Sequence, residues 1–438
     1  MPTLKSQYLK AKKVLPGGVN SSVRLNRAIG TPFYVSRARG SRAWSIEGRE
    51  FIDMCCAHGA GLLGHAHPAI DRALRQAAKI GYANAFETEA HEELARRLCR
   101  GIPCADRIRF CSSGSEATLH LIRACRAFTG RDKIIRVEGH FHGYHELIYI
   151  GGHPPASAFG QNRVHPYLES PGMPAAFADF IIPVPFNDVD ALARAIAAHG
   201  QEAAMVILEP INYNCGGIKA QPGYLEAVRR LTREAGIVLF FDEVQSAFKK
   251  SAGGAQADLG VIPDVCTIGK AIGGGLPLSA FCGRAEIMDQ FQPVGPVQHS
   301  GTFNAHLIPV LAGLAFLDEA AKPGFFAHLR KLENAFHAGV DRIIQDRDLA
   351  MIVPHHGARF NILLGRRTPA VRYEDTFCHD KALMLKLIKG CHDRGVYFHD
   401  YGGGPAHHGY SVQHTLADIN RVLEVLDTVL GKLKKQLG

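Results

Sequence analysis

The sequence predicts an α/β protein whose main part is a mostly parallel sheet covered on both faces by helices. From about Pro68 to Ala320, helix-like and strand-like patterns alternate along the chain. Such alternation is typical of strand–helix–strand crossovers, which place parallel strands side by side beneath helices. After Ala320 the pattern changes to helix, short strands and helix, which predicts a second, smaller α+β part.

The length of the chain also indicates more than one domain. With 438 residues it exceeds the usual size of a single hydrophobic core. We expect an N-terminal helix, a loop and small strands in 1–60, a large domain in 61–319 and a C-terminal α+β domain in 320–438. The smaller domain would therefore be built from both termini.

The N-terminal segment predicts a basic helix followed by a loop over 17–27. Residues 32–54 then form short apolar runs separated by glycine turns, which favours small antiparallel strands at the edge of the molecule. The later elements follow from hydrophobic periodicity. Helices are predicted at 69–81, 91–101, 116–130, 224–236, 325–345, 380–395 and 416–438, and strands at 107–111, 133–138, 204–210, 237–243, 265–269, 358–364 and 396–400.

Composition excludes several classes of protein. Hydrophobic residues at 46% and charged residues at 21% describe a globular chain, not a disordered one. The net charge of +9 is spread along the sequence without a basic stripe, so we expect no nucleic-acid partner. No apolar run approaches the ~20 residues that span a bilayer, and no secretory signal begins the chain, so we expect no membrane association and a cytoplasmic location. The eleven cysteines are irregularly spaced without a CxxC pair, which favours reduced thiols.

A small polar turn joins a strand to an amphipathic helix at Ser113, Gly114 and Ser115. Free backbone N–H groups and the helix dipole make such a helix start a ready site for a phosphate, to which serine hydroxyls add donors. The more ordinary interpretation is that Ser115 only caps the helix.

Asp242 directly follows five apolar residues at the end of a predicted strand. Such an acid can hold magnesium in a nucleotide hydrolase, which then needs a GxxxxGK[ST] loop. Around Lys270 that pattern fails, because Ala271 follows the lysine and Asp264 stands where the first glycine should be. Two interpretations remain: Asp242 pairs with a protonated ring nitrogen of a cofactor, or it is a solvent-exposed acid at a strand end.

Lys270 ends another apolar strand and precedes three glycines. An apolar setting lowers the pKa of a lysine, and the neutral amine can then attack a carbonyl group and form an imine. Glycines would let the backbone pass close to a flat ligand. Taken alone, however, the pattern also describes a surface lysine before a glycine-rich loop.

The motifs SSGSEA, FHGYHE, EPINYNCGG, FFDEV, TIGKAIGGGLP and GTFNA occur in this order along the chain. Together they resemble the class III, fold type I, aminotransferases that depend on pyridoxal 5'-phosphate (PLP). Within that family, LPGGVNSSVR and LGHAHP are most similar to the glutamate-1-semialdehyde 2,1-aminomutases. The resemblance covers nearly the whole chain and implies the fold type I architecture, with 61–319 as the PLP-binding domain.

The resemblance implies a catalytic pair and a cofactor site. Lys270 would carry PLP as a Schiff base and move a proton, and Asp242 would pair with the ring nitrogen. Phe141 would stack on the ring where the family more often has tyrosine, with His142 beside it. The other residues implied at the cofactor are Ser113, Gly114 and Ser115 at the phosphate, Asn214 near the ring hydroxyl, Val244 on the opposite face and Thr302.

The resemblance also implies a symmetric homodimer, in which Thr302 reaches the phosphate of the neighbouring subunit. It further implies that Ser21 and Arg24 bind a substrate carboxylate, because a guanidinium group matches a carboxylate in bidentate geometry. Without that context Arg24 would be a solvated loop charge. His58 replaces a tryptophan of the aminomutases, and His407 lies in a segment that carries a glutamate there, so we expect both at an altered substrate wall.

An altered wall beside an intact cofactor site favours a related reaction on a different substrate. We expect amino transfer from a carboxylate-bearing amino acid, with β- and D-amino acids included, to a keto acid. The alternatives are the aminomutase reaction on a semialdehyde and amino acid racemisation. An inactive binding module is disfavoured by Lys270 and Asp242. We expect no metal, because the spacing of His140, His142 and His145, like that of the pair at 407–408, fits no standard ligand set.

Overall fold

A computed structural model describes residues 2–81, 85–159 and 166–437. None of the helices in these ranges is long and apolar enough to cross a lipid bilayer. Twelve α-helices occur in the described part of the chain: α1 Leu4–Ala11, α2 Pro68–Ile80, α3 Glu89–Gly101, α4 Gly114–Thr129, α5 Val189–His199, α6 Tyr224–Glu234, α7 Gly254–Leu259, α8 Ala285–Met288, α9 Leu307–Ala320, α10 Phe325–Arg347, α11 Lys381–His392 and α12 Leu416–Leu437.

The strands fall into one large sheet and several small ones. Before the large sheet come β1 Leu25–Asn26, β2 Thr31–Pro32, β3 Val35–Arg39, β4 Arg42–Ser45 and β5 Glu50–Asp53. The middle of the chain forms β6 Arg107–Cys111, β7 Lys133–Val137, β8 Ile181–Val184, β9 Ala203–Leu208, β10 Ile211–Asn212, β11 Ile218–Lys219, β12 Val238–Glu243, β13 Val265–Ile268 and β14 Ser279–Gly283. The last part forms β15 Met351–Ile352, β16 His355–His356, β17 Arg359–Asn361, β18 Leu363–Leu364, β19 Val396–Tyr397 and β20 His407–Gly409.

The large sheet has seven strands in the order β6-β14-β13-β12-β9-β7-β8. Strands β13, β12, β9, β7 and β8 pair in parallel, whereas β14 is antiparallel to both of its neighbours. Along β12, Val238 and Phe240 pack into one hydrophobic cluster, and Leu239 and Phe241 pack into another. Because successive side chains of a strand point to opposite faces, both faces of the sheet are covered. The predicted mostly parallel, helix-covered sheet is confirmed.

The N-terminal strands are not a free edge. Strands β3, β4 and β5 pair antiparallel, as the sequence predicts, but β19 adds to β5 in parallel. Segments separated by more than three hundred residues therefore share one four-stranded sheet in the order β19-β5-β4-β3. This arrangement supports a smaller domain drawn from both termini, and the boundaries at 60/61 and 319/320 stay a proposal.

The eleven cysteines lie in the described ranges, and all of them are free thiols. Cys266 and Cys282 are register partners on β13 and β14, with their sulfur atoms 3.3 Å apart. Both are buried in the core beside Cys104. The sequence-based expectation of reduced thiols agrees with this arrangement.

Candidate active site

The predicted phosphate turn lies between the carboxyl end of β6 and the first turn of α4. Ser113 is the N-cap: its Oγ accepts the backbone N–H of Glu116 at 3.3 Å and donates to the carboxylate of Glu116 at 3.0 Å. The alternative that Ser115 caps the helix is therefore wrong, because the chain is already helical at Gly114. The Oγ of Ser115 instead accepts the backbone N–H of Tyr144 at 3.3 Å.

Gly114 brings the turn against the end of β12. A Cβ at this position would lie 3.1 Å from both methyl groups of Val244, so the backbone comes as close as a glycine allows. At Gly143 a Cβ would lie 2.7 Å from the Oγ of Ser115. Glycines at these two positions leave the backbone N–H groups at the start of the helix accessible, and such a helix start can bind a bulky anion.

Asp242 lies at the end of β12 and is only 5% exposed. Its Oδ1 accepts the Thr267 hydroxyl at 2.9 Å and the Val244 N–H at 3.1 Å. Its Oδ2 lies 2.9 Å from Nδ1 of His142, which is the proton carrier of this pair because the carboxylate can only accept. Asp242 and Thr267 are register partners on β12 and β13, so the sheet itself aligns them.

His142 therefore acts through Asp242. Burial lowers the pKa of the His142 imidazole, and the nearby carboxylate opposes that shift. The second ring nitrogen, Nε2, is buried without a partner among the described residues. The neutral ring orients the carboxylate without neutralising it.

Lys270 follows β13 and Gly269, one strand away from Asp242. Its φ of 48° is unusual for a residue other than glycine and is typical of strained positions at functional sites. The side chain is half-buried, and its Nζ has no hydrogen-bond partner in the described part of the chain. Burial lowers the pKa of this amine to about 8, and the charge of Asp242 opposes that shift. A substantial fraction of the amine is therefore neutral near physiological pH.

A second lysine, Lys249, is completely buried. Its Nζ donates only to the Ala247 carbonyl, at 3.4 Å. Burial lowers its pKa well below the usual value, and the charges of Arg359 and Lys270 lower it further. Of these two lysines, only Lys270 is exposed enough, and close enough to carboxylates, to serve as the reactive amine.

Glu209 is a site residue that the sequence analysis missed. Its Oε1 accepts the backbone N–H of Phe141 at 2.8 Å, and its Oε2 accepts the Asn214 amide at 2.9 Å. Burial raises the pKa of this carboxyl to about 8, and the charge of Asp242 adds to the rise. Glu209 thus positions two residues predicted to face the cofactor. The signal was present, since Glu209 directly follows an apolar run as Asp242 does.

A cavity of about 500 Å³ contains two of the predicted substrate residues, Arg24 and His58, on its wall. Arg24 is exposed in a short turn, and His58 is half-buried. The Nδ1 of His58 lies 2.7 Å from the Tyr401 hydroxyl. Burial lowers the pKa of His58 to about 3, so the ring is neutral. Ser21, three residues before Arg24, is not among the described residues that line this cavity.

His407 lies behind the wall, not on it. It is 3% exposed on β20, which pairs with β17, and the guanidinium of Arg359 contacts its Nδ1 and its carbonyl. Its ring lies 5.3 Å from that of Tyr401, which in turn holds His58. Contrary to the expectation that it faces the substrate wall, His407 is not among the described residues that line the cavity, and Tyr401 contacts both its ring and His58.

Thr302 is exposed, and the carbonyl of the residue after it, Phe303, accepts the hydroxyl of Ser112 at 3.4 Å, next to the predicted phosphate turn. Its neighbour Phe303 is 63% exposed, which is unusual for a large apolar side chain. In the described part of the chain Thr302 has no hydrogen-bond partner. This position agrees with a residue whose partner belongs to another subunit.

The chain matches the aminotransferase class-III family model over residues 26–421. An omega-transaminase from Sphaerobacter thermophilus is 30% identical, with 98% of this chain and 97% of that chain covered and a TM-score of 0.90. A β-phenylalanine aminotransferase from Variovorax paradoxus is 28% identical, with 99% and 95% covered and a TM-score of 0.88. A glutamate-1-semialdehyde aminomutase from Pseudomonas aeruginosa is 23% identical, with 98% and 94% covered and a TM-score of 0.88, a likeness of fold.

The residues on the strand ends fit PLP. Gly114 leaves an anion site without side chains, Asp242 offers a carboxyl group held by three donors, and Lys270 offers an amine whose pKa is lowered by burial. When bound, PLP supplies an electron sink for chemistry at an amino-bearing carbon. Family match and site geometry agree, and the chain belongs to the class III aminotransferases, enzymes that use PLP.

Proposed function

We propose that this enzyme moves an amino group from a carboxylate-bearing amino acid, with β- and D-amino acids among the donors, to a keto acid. The observation that carries the proposal is the cavity whose wall contains both Arg24 and His58. An exposed guanidinium in a cavity of about 500 Å³ suits a small carboxylate ligand. The similar β-phenylalanine aminotransferase supports a β-amino donor as one candidate.

In this proposal Lys270 holds the cofactor and moves the proton. Its Nζ would accept the proton from the amino-bearing carbon of the donor and pass it to the cofactor within the same half-reaction, and it would move a proton in the opposite direction when the keto acid reacts. A pKa of about 8 places the amine close to the pH at which it can both accept and donate. Asp242, fixed by Thr267 and His142, would pair with the ring nitrogen and favour its protonated form.

Phe141 and Val244 would lie on the two faces of the ring, and Asn214 near the ring hydroxyl. Glu209 supports this arrangement, because it binds the Phe141 backbone and the Asn214 amide at once. We also propose a homodimer in which Thr302 completes the phosphate site of the neighbouring subunit. Its exposed position supports that role.

At the substrate end, Arg24 would bind the donor carboxylate through charge-assisted hydrogen bonds. His58 stays neutral, so it adds a polar, uncharged surface to the cavity wall that also contains Arg24. The Arg24 guanidinium would then be the positive charge that binds the donor carboxylate. Ser21, nearby in the chain, would assist only after the turn around Arg24 moves. This arrangement favours donors with a single carboxylate near the reacting carbon.

The proposal is tested by mixing the PLP-loaded enzyme with one donor at a time. The panel holds L-α-, D-α- and β-amino acids, plain amines and glutamate-1-semialdehyde, and cofactor absorption is followed. We expect carboxylate-bearing donors to convert the cofactor to its amine form, and a keto acid to reverse the change. Isomerisation of the semialdehyde without a second substrate would instead identify an aminomutase. Loss of donor chirality without amine accumulation would identify a racemase.

A further inference from the structure

Three potential metal ligands converge on the wall of the substrate cavity. The ligand atoms of Cys55, His58 and His399 lie within 4.8 Å of one another. Cys55 and His399 are buried, His58 is half-buried, and all three line the cavity of about 500 Å³. The cluster is therefore dry on one side and open on the other, as a metal site with a free coordination position would be.

An unusual loop delivers two of these ligands. Cys56, Ala57 and His58 have φ angles of 49°, 51° and 55°, so three consecutive residues other than glycine are left-handed. Such residues persist only where the surroundings enforce the conformation. Here Asp53 accepts the backbone N–H groups of Cys55 at 2.8 Å and Cys56 at 3.2 Å.

The loop also places a backbone donor at the sulfur. The N–H of His58 donates to Sγ of Cys55 at 3.4 Å. Arg359 fixes the other side of the loop, because its Nη1 donates to the Cys55 carbonyl at 3.0 Å. Burial raises the pKa of the Cys55 thiol to about 12, so without a cation the sulfur keeps its proton. A donor aimed at sulfur and a nearby guanidinium both favour the thiolate once a cation is present.

Both imidazoles are oriented by groups outside the cluster. The Nε2 of His399 lies 2.7 Å from the Val23 carbonyl, so it carries the proton. The Nδ1 accepts the Tyr397 hydroxyl at 3.0 Å, and a metal ion bound at Nδ1 would displace that hydrogen bond. The Tyr401 hydroxyl holds Nδ1 of His58 at 2.7 Å and leaves Nε2 without a partner among the described residues. Such partners typically orient histidines that bind metals.

We propose that Cys55, His58 and His399 bind one Zn²⁺ ion, with the fourth position open to the cavity. One sulfur and two imidazole nitrogens are the ligand types that zinc prefers. Zinc–ligand distances of about 2.0–2.3 Å require ligand atoms about 3.5 Å apart, so atoms that now lie up to 4.8 Å apart must approach one another by up to about 1.3 Å. Binding releases the Cys55 thiol proton to solvent. The sequence-based expectation of no metal concerned His140, His142 and His145 and the pair at 407–408, and none of these residues belongs to this cluster.

A second group of potential metal ligands consists of three thiols, those of Cys104, Cys266 and Cys282. Its three sulfur atoms also lie within 4.8 Å of one another, but all three residues are buried within the sheet core. None of them lines the cavity described above. This cluster lacks both histidines and an open side, so it serves as the internal control.

The test is a titration of the PLP-loaded enzyme with Co²⁺ under a non-chelating phosphine reductant. We expect one equivalent of Co²⁺ to produce the intense visible bands of a tetrahedral, thiolate-bound ion, and Zn²⁺ to abolish them. Cys55→Ser and His399→Gln should each raise the Kd for Co²⁺ at least ~100-fold, which exceeds the loss typical of an outer-shell residue. Tyr401→Phe, which removes only such an outer contact, should raise it about 10-fold.

Two matched variants separate this site from other thiols. Cys378→Ser removes the exposed thiol and Cys266→Ser disrupts the core cluster, and both should keep the cobalt bands unchanged. Cofactor absorption and the Tm confirm that each variant is folded. If the Cys55→Ser variant does not fold, the test of the proposal is the expected rise in the Kd for Co²⁺ in the Tyr401→Phe variant. Octahedral binding only, or bands lost in Cys266→Ser and kept in Cys55→Ser, would overturn the proposal.

Discussion

The cofactor end of the active site and the substrate cavity are built in different ways. At the cofactor end, Asp242, Glu209 and Lys270 lie at or just beyond the ends of neighbouring strands of one sheet, and the two acids make several hydrogen bonds each. The cavity instead combines Arg24 from an N-terminal turn with His399 from beyond β19. Its residues are far apart in sequence, and the two predicted substrate residues among them, Arg24 and His58, lie in short turns.

This difference divides chemistry from selectivity. A sheet fixes side-chain positions through backbone register, whereas loops tolerate change and commonly determine binding. Changes at the strand ends should therefore impair turnover with every donor. Changes in the cavity should alter which donors are accepted and leave the proton transfer itself intact.

The largest effect is expected for Lys270→Ala. Loss of the amine removes both cofactor attachment and proton transfer, so kcat should fall more than about 10⁴-fold with every donor. The matched control is Lys249→Met, which removes the other buried lysine and should keep most of the activity. Steady-state kinetics with two dissimilar donors measure both. A near-normal kcat in the Lys270→Ala variant would contradict the assignment of the chemistry to the cofactor end of the site.

A smaller loss is expected for Asp242→Asn. The amide keeps the size of the side chain and removes the charge beside the ring nitrogen, so kcat should fall about 10²- to 10³-fold, the range for a lost electrostatic contact at a reacting centre. Thr267→Val removes only the hydroxyl that orients Asp242 and should cost about tenfold. Cofactor affinity, followed by absorption, separates weaker binding from slower chemistry. Equal losses of kcat in the Asp242→Asn and Thr267→Val variants would contradict the account in which Asp242 acts on the ring nitrogen and Thr267 only orients Asp242.

In the cavity, Arg24→Ala should act on binding. A hydrogen bond to a charged group contributes about 1.5–3 kcal/mol, so KM for carboxylate donors should rise about 10- to 100-fold while kcat changes little. Plain amines should be almost unaffected. Arg27→Ala, three residues away and outside the cavity lining, is the matched control. If KM rises equally for amines and amino acids, Arg24 does not recognise the carboxylate.

The smallest expected effect is a shift in pH dependence. Because the pKa of Lys270 is lowered to about 8, its amine is protonated below that pH and reactive above it. The rate of PLP capture by the apoenzyme should therefore rise with pH and level off above about 8. Asp242 raises the pKa of Lys270, so Asp242→Asn should move the midpoint to lower pH. Stopped-flow absorption measures the rate, and a midpoint above pH ~10, the range of an unperturbed lysine, would contradict the buried-amine account.

The sequence signals for the residues predicted at the cofactor are local. Lys270 and Asp242 each follow an apolar run closely, and the carboxyl ends of parallel strands meet at one edge of a sheet. Contacts between strands were not predictable in the same way. Thr267 orients Asp242 only because of the register of β12 and β13. Glu209 was missed although it carries the same local pattern as Asp242.

The substrate wall was predicted less completely. Arg24 and His58 do share a cavity, as the departures from the aminomutase motifs suggested. His407 was expected there, but pairing of β20 with β17 buries it beside Arg359. The C-terminal pairing of β19 with β5, which brings His399 to the cavity, has no signal in the local sequence. Pairing between strands that are distant in sequence thus determines which residues reach the cavity, and local sequence patterns do not predict that pairing.

The central claim is that Lys270 is the residue that holds PLP. Borohydride reduction of the loaded enzyme fixes the cofactor to the lysine that binds it covalently, and peptide mass spectrometry then locates it. We predict the added mass on the peptide that contains Lys270 and none on Lys249, which is also buried with a lowered pKa. Label on Lys249, or no label on any lysine, would contradict the account.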